Sequence, residues 1–362
     1  MSNKWICVLS DYIQATCYAC SQIRSISELW LIVAPIYCRL KYGLGARDFT
    51  IYQLPRVALR EWSQFLQNEP FKRILASQAS AYGRQLADDK HAFYQHCWQH
   101  QLPTPQLTCL LCAPDSEQQQ GTPQLHSADQ LCQFLPDGQY FVKPQRGSHG
   151  QHAFAFVRHG DAVITAQGRS RIQSFAHQVF QRVRSGIPLI VQPQLVNHPS
   201  IRQLTGSPHL STIRVVTAME QGEIRAIGSF FRIINGNNQT DSFCHGSSGN
   251  LIAAVDVQEG RLLSTKCVCN KSWPVMAEIS QHPRTGVTLQ NFMLPRWQEV
   301  LATVFTAHKT MPFLKTIGWD VAVSADMVWV VEANWRYDID ALQAAHTKGF
   351  AAAITPFYAV SA

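Results

Sequence analysis

Residues 316–336, TIGWDVAVSADMVWVVEANWR, alternate apolar and polar side chains on both sides of a short polar break. Period-two alternation rich in Val, Ile and Trp predicts two antiparallel strands joined by a turn around Ser324, Ala325 and Asp326. If the turn pairs residues of like parity, one continuous apolar face results, made of Ile317, Trp319, Val321, Val323, Trp329, Val331, Ala333 and Trp335. We expect that face to lie in the core of a sheet.

The opposite face of this hairpin carries Gly318, Asp320, Glu332 and Asn334. No basic residue stands between the two carboxylates in the hairpin, so their charges would repel each other. Such a pair shares a proton or holds a hard cation, and oxygen ligands at strand spacing suit Mg²⁺. A solvated outer sheet face explains the same residues, and the hairpin alone does not decide between the two.

The composition is that of a globular protein. At 362 residues the chain is long enough for two or three subdomains, and 46% hydrophobic with 15% charged residues excludes disorder. No apolar run is long enough to span a bilayer, and the first twenty residues lack a signal-peptide core. Eleven cysteines, an odd number spread among apolar neighbours, favour a reducing compartment. We therefore expect a cytoplasmic protein.

The formal charge of +7 is dispersed, with no run of five like charges. It favours anionic ligands such as nucleotides or acidic sugars, and it allows weak attraction to an acidic membrane surface. Nucleic-acid binding is not expected, because there is no basic stripe interleaved with exposed aromatic residues and no recognisable module. The sequence leaves open whether the protein forms a homodimer.

Hydrophobic spacing changes once along the chain. Residues 1–104 show mostly helical spacing, and Pro103 and Pro105 mark its end, because a residue before proline is pushed out of helical geometry. Strand patterns dominate afterwards, with helices between them. The pattern predicts a helical N-terminal region followed by a mixed α+β region.

A glycine-containing loop joins two predicted strands in the segment FVKPQRGSHGQ. Its glycines permit the positive φ angles at which backbone N–H groups converge on an anion, and Lys143 lies beside it. The spacing is not that of a P-loop, and the loop joins strands instead of opening a helix. An ordinary hairpin turn is the alternative, but Lys143 and the downstream carboxylates favour a phosphate site.

A lysine strand, a glycine flap, arginine strands and paired acids on a closing hairpin follow one another in an order that resembles the ATP-grasp superfamily. The segments LADDKHAF, PTP, FVKP with GSHG, IVQPQL, LSTIRVVT, HPRTG, LPRW, IGWDVAVS and VVEANWR occur in the order of its sugar-transfer-associated group. The resemblance spans roughly residues 42–345. It implies an α+β ATP-grasp fold in which two subdomains, residues 105–191 and 192–362, clasp ATP between antiparallel sheets, with residues 1–104 as a helical N-terminal region.

The resemblance also implies how ATP would be held. The side chains facing its phosphates would be Lys90 and Lys143. The flap over the phosphates would be formed by Gly147, Ser148 and Gly150. The adenine would meet the backbone around Val191, Gln192 and Leu195, where Gln192 replaces the glutamate common in other ATP-grasp enzymes.

The resemblance implies a metal site and a catalytic set as well. Mg²⁺, as two ions, would be bound by Asp320, Glu332 and Asn334, which favours the metal interpretation of the hairpin. Catalysis would use Arg214, Arg232 and Lys143, because a guanidinium suits bidentate contact with the γ-phosphate and an acyl phosphate. Asp241-Ser242 and HGSSG at residues 245–249 depart from the Asp-Asn and Gly-Gly of the family pattern. We expect this loop to border the acceptor.

The resemblance implies an ATP-dependent carboxylate–amine ligase acting on small molecules. ATP would phosphorylate a carboxylate, and an amine would attack the acyl phosphate to form an amide. Family context suggests an amino acid joined to a sugar or a cell-surface polymer precursor. Two alternatives keep the nucleotide site: a kinase that phosphorylates a hydroxyl, and a module that binds nucleotide without turnover. The intact lysines, arginines and acids argue against the second.

Overall fold

The first hundred residues are helical, as their spacing predicts. The computed structural model describes residues 2–147, 152–270 and 273–358, with side chains from residue 6 onward. The α-helices of this region are α1 (Ser2–Ser21), α2 (Ala34–Tyr42), α3 (Ala46–Ile51), α4 (Asn68–Gln78), α5 (Ala81–Asp88) and α6 (Lys90–Gln99). Short 3-10 helices lie at Ile26–Ile32, Leu54–Arg56 and Leu59–Gln64.

A first sheet of seven strands follows. Its strands are β1 (Cys109–Leu111), β2 (Gln124–Leu125), β3 (Gly138–Pro144), β4 (Phe154–His159), β5 (Ala162–Thr165), β6 (Gly168–Arg171) and β7 (Leu189–Pro193). They are ordered β2-β1-β7-β3-β4-β5-β6, with β1 and β2 parallel and the other neighbours antiparallel. Helices α7 (Ala128–Phe134) and α8 (Ile172–Arg184) share a core with this sheet that includes Leu131, Phe156 and Phe175.

A second seven-stranded sheet, entirely antiparallel, is built from the rest of the chain. Its strands are β8 (Ile213–Glu220), β9 (Glu223–Ile233), β10 (Leu251–Val255), β11 (Leu262–Val268), β12 (Met276–Glu278), β13 (Thr316–Val323) and β14 (Val328–Asn334). Their order is β12-β11-β10-β9-β8-β13-β14. The accompanying helices are α9 (Pro199–Thr205), α10 (Trp297–Lys309), α11 (Asp340–His346) and α12 (Ala351–Ile354), with 3-10 turns at Cys244–Gly246 and Thr355–Phe357.

The two faces of the second sheet pack against different parts of the chain. One face, which includes Val215 and Trp319, shares a core with α10. The opposite face, which includes Val216 and Phe230, is covered by the N-terminal helices and α11. Side chains alternate along a strand, so Arg214 of β8 projects on the same side as Val216. The predicted arginines and metal ligands therefore lie on the face of the second sheet that shares the core with the N-terminal helices.

The predicted hairpin is present, with a bulge that changes its apolar face. Asp320 pairs with Glu332, but the register shifts after it, so that Val321 pairs with Val330. A β-bulge adds one residue to a strand and reverses the alternation beyond it. Val328 and Val330 are consequently buried. The prediction that Trp329 and Val331 belong to the core face is wrong, and both are half-buried on the other side.

The other members of the predicted apolar face do lie in the core. Ile317, Trp319, Val321, Val323 and Ala333 are buried, and Trp335 packs against them while half-buried. The turn spans residues 324–327, where the Ser324 N–H donates to the Met327 carbonyl at 2.9 Å. The predicted α+β class is confirmed.

The predicted domain boundaries remain a prediction, and β7 runs across the one placed between residues 191 and 192. Among the helices in the described ranges, none combines the length and apolarity needed to cross a membrane. Eleven free cysteines, five of them exposed, are spread over the chain.

Candidate functional site

The hairpin brings the three predicted metal ligands together. Asp320 of β13 lies directly opposite Glu332 of β14, and Gly318 lies opposite Asn334. The Asn334 side-chain amide is 3.5 Å from Oδ2 of Asp320. Two carboxylates and an amide thus share one face of the hairpin, as their spacing predicts.

Asp320 is buried and paired with two arginines from neighbouring strands. Nε of Arg214, its cross-strand partner on β8, donates to Oδ1, and Nη2 of Arg232 on β9 lies 2.9 Å from Oδ2. Burial alone would raise the pKa of Asp320, but the two guanidiniums outweigh burial and lower the pKa to about 2. The expectation of carboxylates that repel without a basic residue between them is therefore wrong, because the adjacent strands supply the counter-charges.

Arg232 extends this network to Asp241, which was noted in the sequence only as a departure from the family pattern. Arg232 Nε lies 3.3 Å from Oδ2 of Asp241, and the Thr212 N–H donates to the same oxygen at 2.8 Å. Burial raises the pKa of Asp241, with Arg232 and Thr212 acting in the opposite direction. Thr212 stands two residues before Arg214, so strand alternation places both side chains on the same side of the sheet. That alternation is the sequence signal that could have identified Thr212 as part of the site.

Lys90 connects helix α6 to both the hairpin and the glycine loop. Its Nζ lies 3.1 Å from Oε1 of Glu332 and donates to the Gly147 carbonyl at 2.7 Å. Lys90 is the first residue of α6, and Asp89 caps that helix by accepting the His91 N–H at 3.0 Å. The helix terminus thus fixes where the Lys90 side chain starts.

Asp89 also ties the base of the glycine loop to α6. Its buried carboxylate accepts Nε2 of Gln145 at 2.9 Å and Nε of Arg146 at 3.1 Å. The Lys90 N–H donates to the Gln145 carbonyl at 3.0 Å, closing the connection. Sequence reasoning missed this role of Asp89, although an Asp directly before a helical segment is a cap signal.

Lys143 is the one predicted phosphate ligand whose ammonium group is uncommitted. Lys143 is half-buried on β3, and its ammonium group makes no hydrogen bond or ion pair with any residue that the structure describes. Burial is the main cause that lowers its pKa to about 8; Glu332 opposes this shift and Lys90 adds to it. A desolvated lysine without a fixed partner, close to Lys90 and Glu332, is well suited to receive an anion.

Comparison of the chain with models of protein families shows to which family it belongs. The model described as "Sugar-transfer associated ATP-grasp" matches residues 73–357, most of the chain. The chain belongs to the sugar-transfer associated ATP-grasp family. The resemblance inferred from the ordered motifs is confirmed, and with it the ATP-grasp fold. No curated protein sequence matches the chain significantly.

Several solved ATP-grasp structures are distantly similar to the chain. An L-amino acid ligase from Bacillus licheniformis is 11% identical over 70% of this chain and 41% of its own, with a TM-score of 0.34. D-alanyl-alanine synthetase A from Vibrio cholerae is 10% identical over 75% of this chain and 62% of its own, with a TM-score of 0.42. D-cycloserine synthetase is 14% identical over 77% and 78%, with a TM-score of 0.37. This chain spans less than half the length of the first of these proteins, and none identifies its substrate.

The segment predicted to hold adenine in this ATP-grasp chain is partly committed to the sheet. The Val191 carbonyl accepts the Thr108 N–H at 2.8 Å, and Gln192 lies buried within β7. The backbone N–H and C=O of Leu195, just beyond the strand, make no hydrogen bond with other described residues. Of the three predicted hinge residues, Leu195 therefore has the backbone groups best able to pair with a base.

Two of the three predicted flap residues, Ser148 and Gly150, lie outside the described residues. The third, Gly147, has a φ of 118°, which only glycine adopts without strain. Among the described residues, no neighbouring atom lies within 4 Å of where a Cβ would stand on Gly147. The backbone angle, and not crowding, is therefore what requires glycine here.

The donor atoms of the hairpin are those that Mg²⁺ prefers. Asp320, Glu332 and Asn334 offer oxygen from two adjacent strands. Within the described parts of the chain, no three His, Cys, Asp or Glu residues cluster closely enough to hold a metal, so a third protein ligand would have to be an oxygen such as that of the Asn334 amide. The two carboxylates already carry Arg214, Arg232 and Lys90 as partners. The set fits a magnesium ion that binds together with an anion, because the anion can replace the carboxylates as the partner of those cations.

Proposed function

We propose that this protein is an ATP-dependent carboxylate–amine ligase that forms an amide through an acyl phosphate. The observation that carries the proposal is one network in which three cationic side chains meet three carboxylates, beside a Lys143 ammonium group that no other described residue engages. Transfer of a phosphoryl group requires fixed positive charge around developing negative charge, and no protein nucleophile. This network provides that charge.

At the phosphate end, Lys90 and Lys143 bind the ATP phosphates under the flap formed by Gly147, Ser148 and Gly150. The residues that would hold Mg²⁺, as two ions, are Asp320, Glu332 and Asn334. Magnesium held there would neutralise phosphate charge. Lys90 then exchanges its contact with Glu332 for a phosphate oxygen, so metal and nucleotide binding are coupled. The adenine contacts the backbone near Val191, Gln192 and Leu195.

At the reacting end, Arg214 and Arg232 act on the group that is transferred. A substrate carboxylate oxygen attacks the γ-phosphorus, the bond to the β-phosphate oxygen breaks, and ADP leaves. An amine then attacks the acyl carbon, phosphate leaves, and the amine nitrogen loses a proton to give the amide. The guanidiniums, released from Asp320, hold the negative oxygens of both steps.

The acceptor side is formed by the loop after Asp241. Its His245 lies 2.6 Å from the buried carboxylate of Asp340, which raises the pKa of that imidazole. This contact fixes the loop against α11, and the serines at residues 247 and 248 offer hydroxyl groups to a polar acceptor. We propose an amino acid and a sugar or surface-polymer precursor as the small-molecule substrates.

The proposed division of labour follows the chain. Residues 1–104 form the helical N-terminal region, residues 105–191 supply the lysine and the flap, and residues 192–362 supply the arginines and the metal hairpin. We place the protein in the cytoplasm, where ATP is available and unpaired cysteines persist.

The test is release of ADP from Mg·ATP with pooled amino acids and pooled acidic sugars. We expect release that requires an acid and an amine together, and a loss of about 100-fold or more in the Glu332→Gln variant. The matched control is Asp326→Asn in the turn of the same hairpin, which should keep full activity. ADP release with a hydroxyl acceptor alone, giving a stable phosphorylated product, would establish a kinase instead.

A further inference from the structure

The N-terminal helices carry large apolar side chains on their outer side, which the proposed function does not use. We call the set Leu9, Ile13, Ile26, Val33, Ile36 and Leu40 the N-terminal apolar surface. Each of these side chains is at least 54% exposed, and Ile26 and Leu40 reach 87% and 81%. A concentration of this kind within 32 residues differs from the scattered apolar residues of an ordinary protein surface and marks an interaction site.

These side chains are exposed because both faces of the helices are apolar. On α1, Leu9 and Ile13 lie one turn apart, whereas Ala15 and Ala19 on the other side are fully buried. On α2, Ile36 and Leu40 are likewise one turn apart, and Cys38 between them is buried. The inner faces already pack against each other and α3, in the core that the N-terminal helices share with the second sheet, so the outer faces are free to meet something else.

The charges around the N-terminal apolar surface are positive. Within residues 6–56 the exposed charged side chains are Arg24, Arg39, Lys41, Arg47 and Arg56. The three acids of the same segment are less exposed and engaged: Asp11 with Arg47 at 3.2 Å, Glu28 with the Arg24 N–H at 2.6 Å, and Asp48 with the Gly45 N–H at 2.8 Å. An occupant of this surface must therefore be apolar at its centre and negative at its edge.

We propose that the N-terminal apolar surface docks on an anionic lipid bilayer, with α1 and α2 lying in the interface and not crossing it. Apolar side chains enter the boundary between head groups and acyl chains while flanking arginines and lysines contact the negative head groups. A second copy of the chain fits less well, because a twofold contact would set the basic edge against itself.

The test is co-sedimentation of the full chain with vesicles of phosphatidylcholine, alone or mixed equally with phosphatidylglycerol. We expect binding to the mixed vesicles that is weakened by salt, and at least tenfold weaker binding to phosphatidylcholine alone. The double variants Leu9→Gln/Ile13→Gln and Ile36→Gln/Leu40→Gln should each lower the partition by about tenfold or more. Glutamine keeps the helix propensity of these positions. Arg24→Gln/Arg39→Gln should lower it by about 25-fold, roughly fivefold for each cation.

The matched control replaces two equally exposed apolar residues outside this region, as Trp98→Gln/Ile164→Gln. It should bind vesicles like the parent protein, and all variants should keep the parent Tm. Absence of binding to the mixed vesicles overturns the proposal, as does an equal loss in the control variant. Sedimentation that shows a dimer, dissociated by the glutamine variants and indifferent to vesicles, would assign the surface to a second copy. A monomer that ignores vesicles would assign it to another protein.

Discussion

Nη2 of Arg232 on β9 lies 2.9 Å from Oδ2 of Asp320 on β13, across the intervening strand β8. Both side chains are largely withdrawn from solvent, and Arg214 occupies the other oxygen of the same carboxylate. A buried charge pair of this kind stabilises little in total, but the loss of one partner is costly because the remaining charge stays buried. The relationship makes Asp320 a structural residue of the free protein as well as a candidate metal ligand.

Replacing Asp320 by Asn should destabilise the free protein. The change leaves Arg214 and Arg232 buried without a counter-charge, at a cost of about 3 kcal/mol in the free energy of unfolding. The pKa of about 2 adds a pH signature, because the stabilisation is present above the pKa of an unfolded aspartate and is lost as the pH falls from about 4 towards 2. Urea unfolding at several pH values measures both effects.

The control for this variant is Asp326→Asn in the turn between β13 and β14. Asp326 is exposed and accepts a hydrogen bond from Ser324 that an asparagine can also accept. We expect it to change the free energy of unfolding by less than about 0.5 kcal/mol. Equal stabilities of the two variants would contradict the ion-pair account of Asp320.

Glu332→Gln should have opposite effects on metal-free and metal-bound nucleotide. Removing the carboxylate breaks the ion pair of Lys90 and takes one negative charge from beside Lys143, so metal-free ATP should bind about tenfold more tightly. Turnover of Mg·ATP should fall, because an oxygen ligand is lost. Calorimetry in EDTA and an ADP assay in magnesium measure the two. A variant that binds metal-free ATP no better would show that Glu332 does not face the phosphates.

The affinity for ATP should depend on pH through Lys143. Its ammonium group is charged below about pH 8 in the free protein and neutral above it. Phosphate binds the charged form, so affinity is highest below pH 8 and falls as the pH rises through that value, with proton uptake on binding. Lys143→Arg should show no such fall, because arginine stays charged. Calorimetry in buffers of different ionisation enthalpy gives the affinity and the proton uptake, and equal pH profiles would exclude Lys143 as the titrating group.

Asp89→Ala should weaken ATP binding more than its loss of stability explains. The change removes a helix cap and also frees Gln145 and Arg146 at the base of the flap. Ser127→Ala is the matched control, since Ser127 caps α7 by accepting the Gln130 N–H and lies in no part of the proposed site. Both should cost about 1 kcal/mol of stability or more, but only Asp89→Ala should raise KM for ATP. Equal KM values for the two variants would show that Asp89 acts only as a helix cap.

Local pattern was enough to predict the pairing that forms the metal hairpin. Alternation placed Asp320 and Glu332 on one face, and the structure pairs them directly. The same rule failed at Trp329 and Val331, because the bulge beyond Asp320 has no marker in the sequence, such as a glycine. A single inserted residue reverses strand parity, and only the packing of Val328 and Val330 selects it.

Contacts between distant parts of the chain were beyond sequence reasoning. Lys90 reaches Glu332 because α6 packs against the second sheet, and the order β9-β8-β13 brings both arginines onto Asp320. Neither follows from spacing along the chain. The family motifs identified these residues as a set, but they did not reveal that the acids are neutralised in the free protein.

Trapping of the acyl phosphate tests the proposed ligase activity most directly. Hydroxylamine added with Mg·ATP and the correct acid, found through the ADP assay, should yield a hydroxamate. Arg232→Ala should suppress the hydroxamate more strongly than it weakens ATP binding, because the guanidinium acts on the transferred group. The control is Arg225→Ala on the same strand, where an exposed arginine stacks 4.8 Å from the Phe357 ring. A hydroxamate in the parent and the control, with little in Arg232→Ala, is the result that the ligase account predicts. A stable phosphorylated hydroxyl product with no hydroxamate would contradict it.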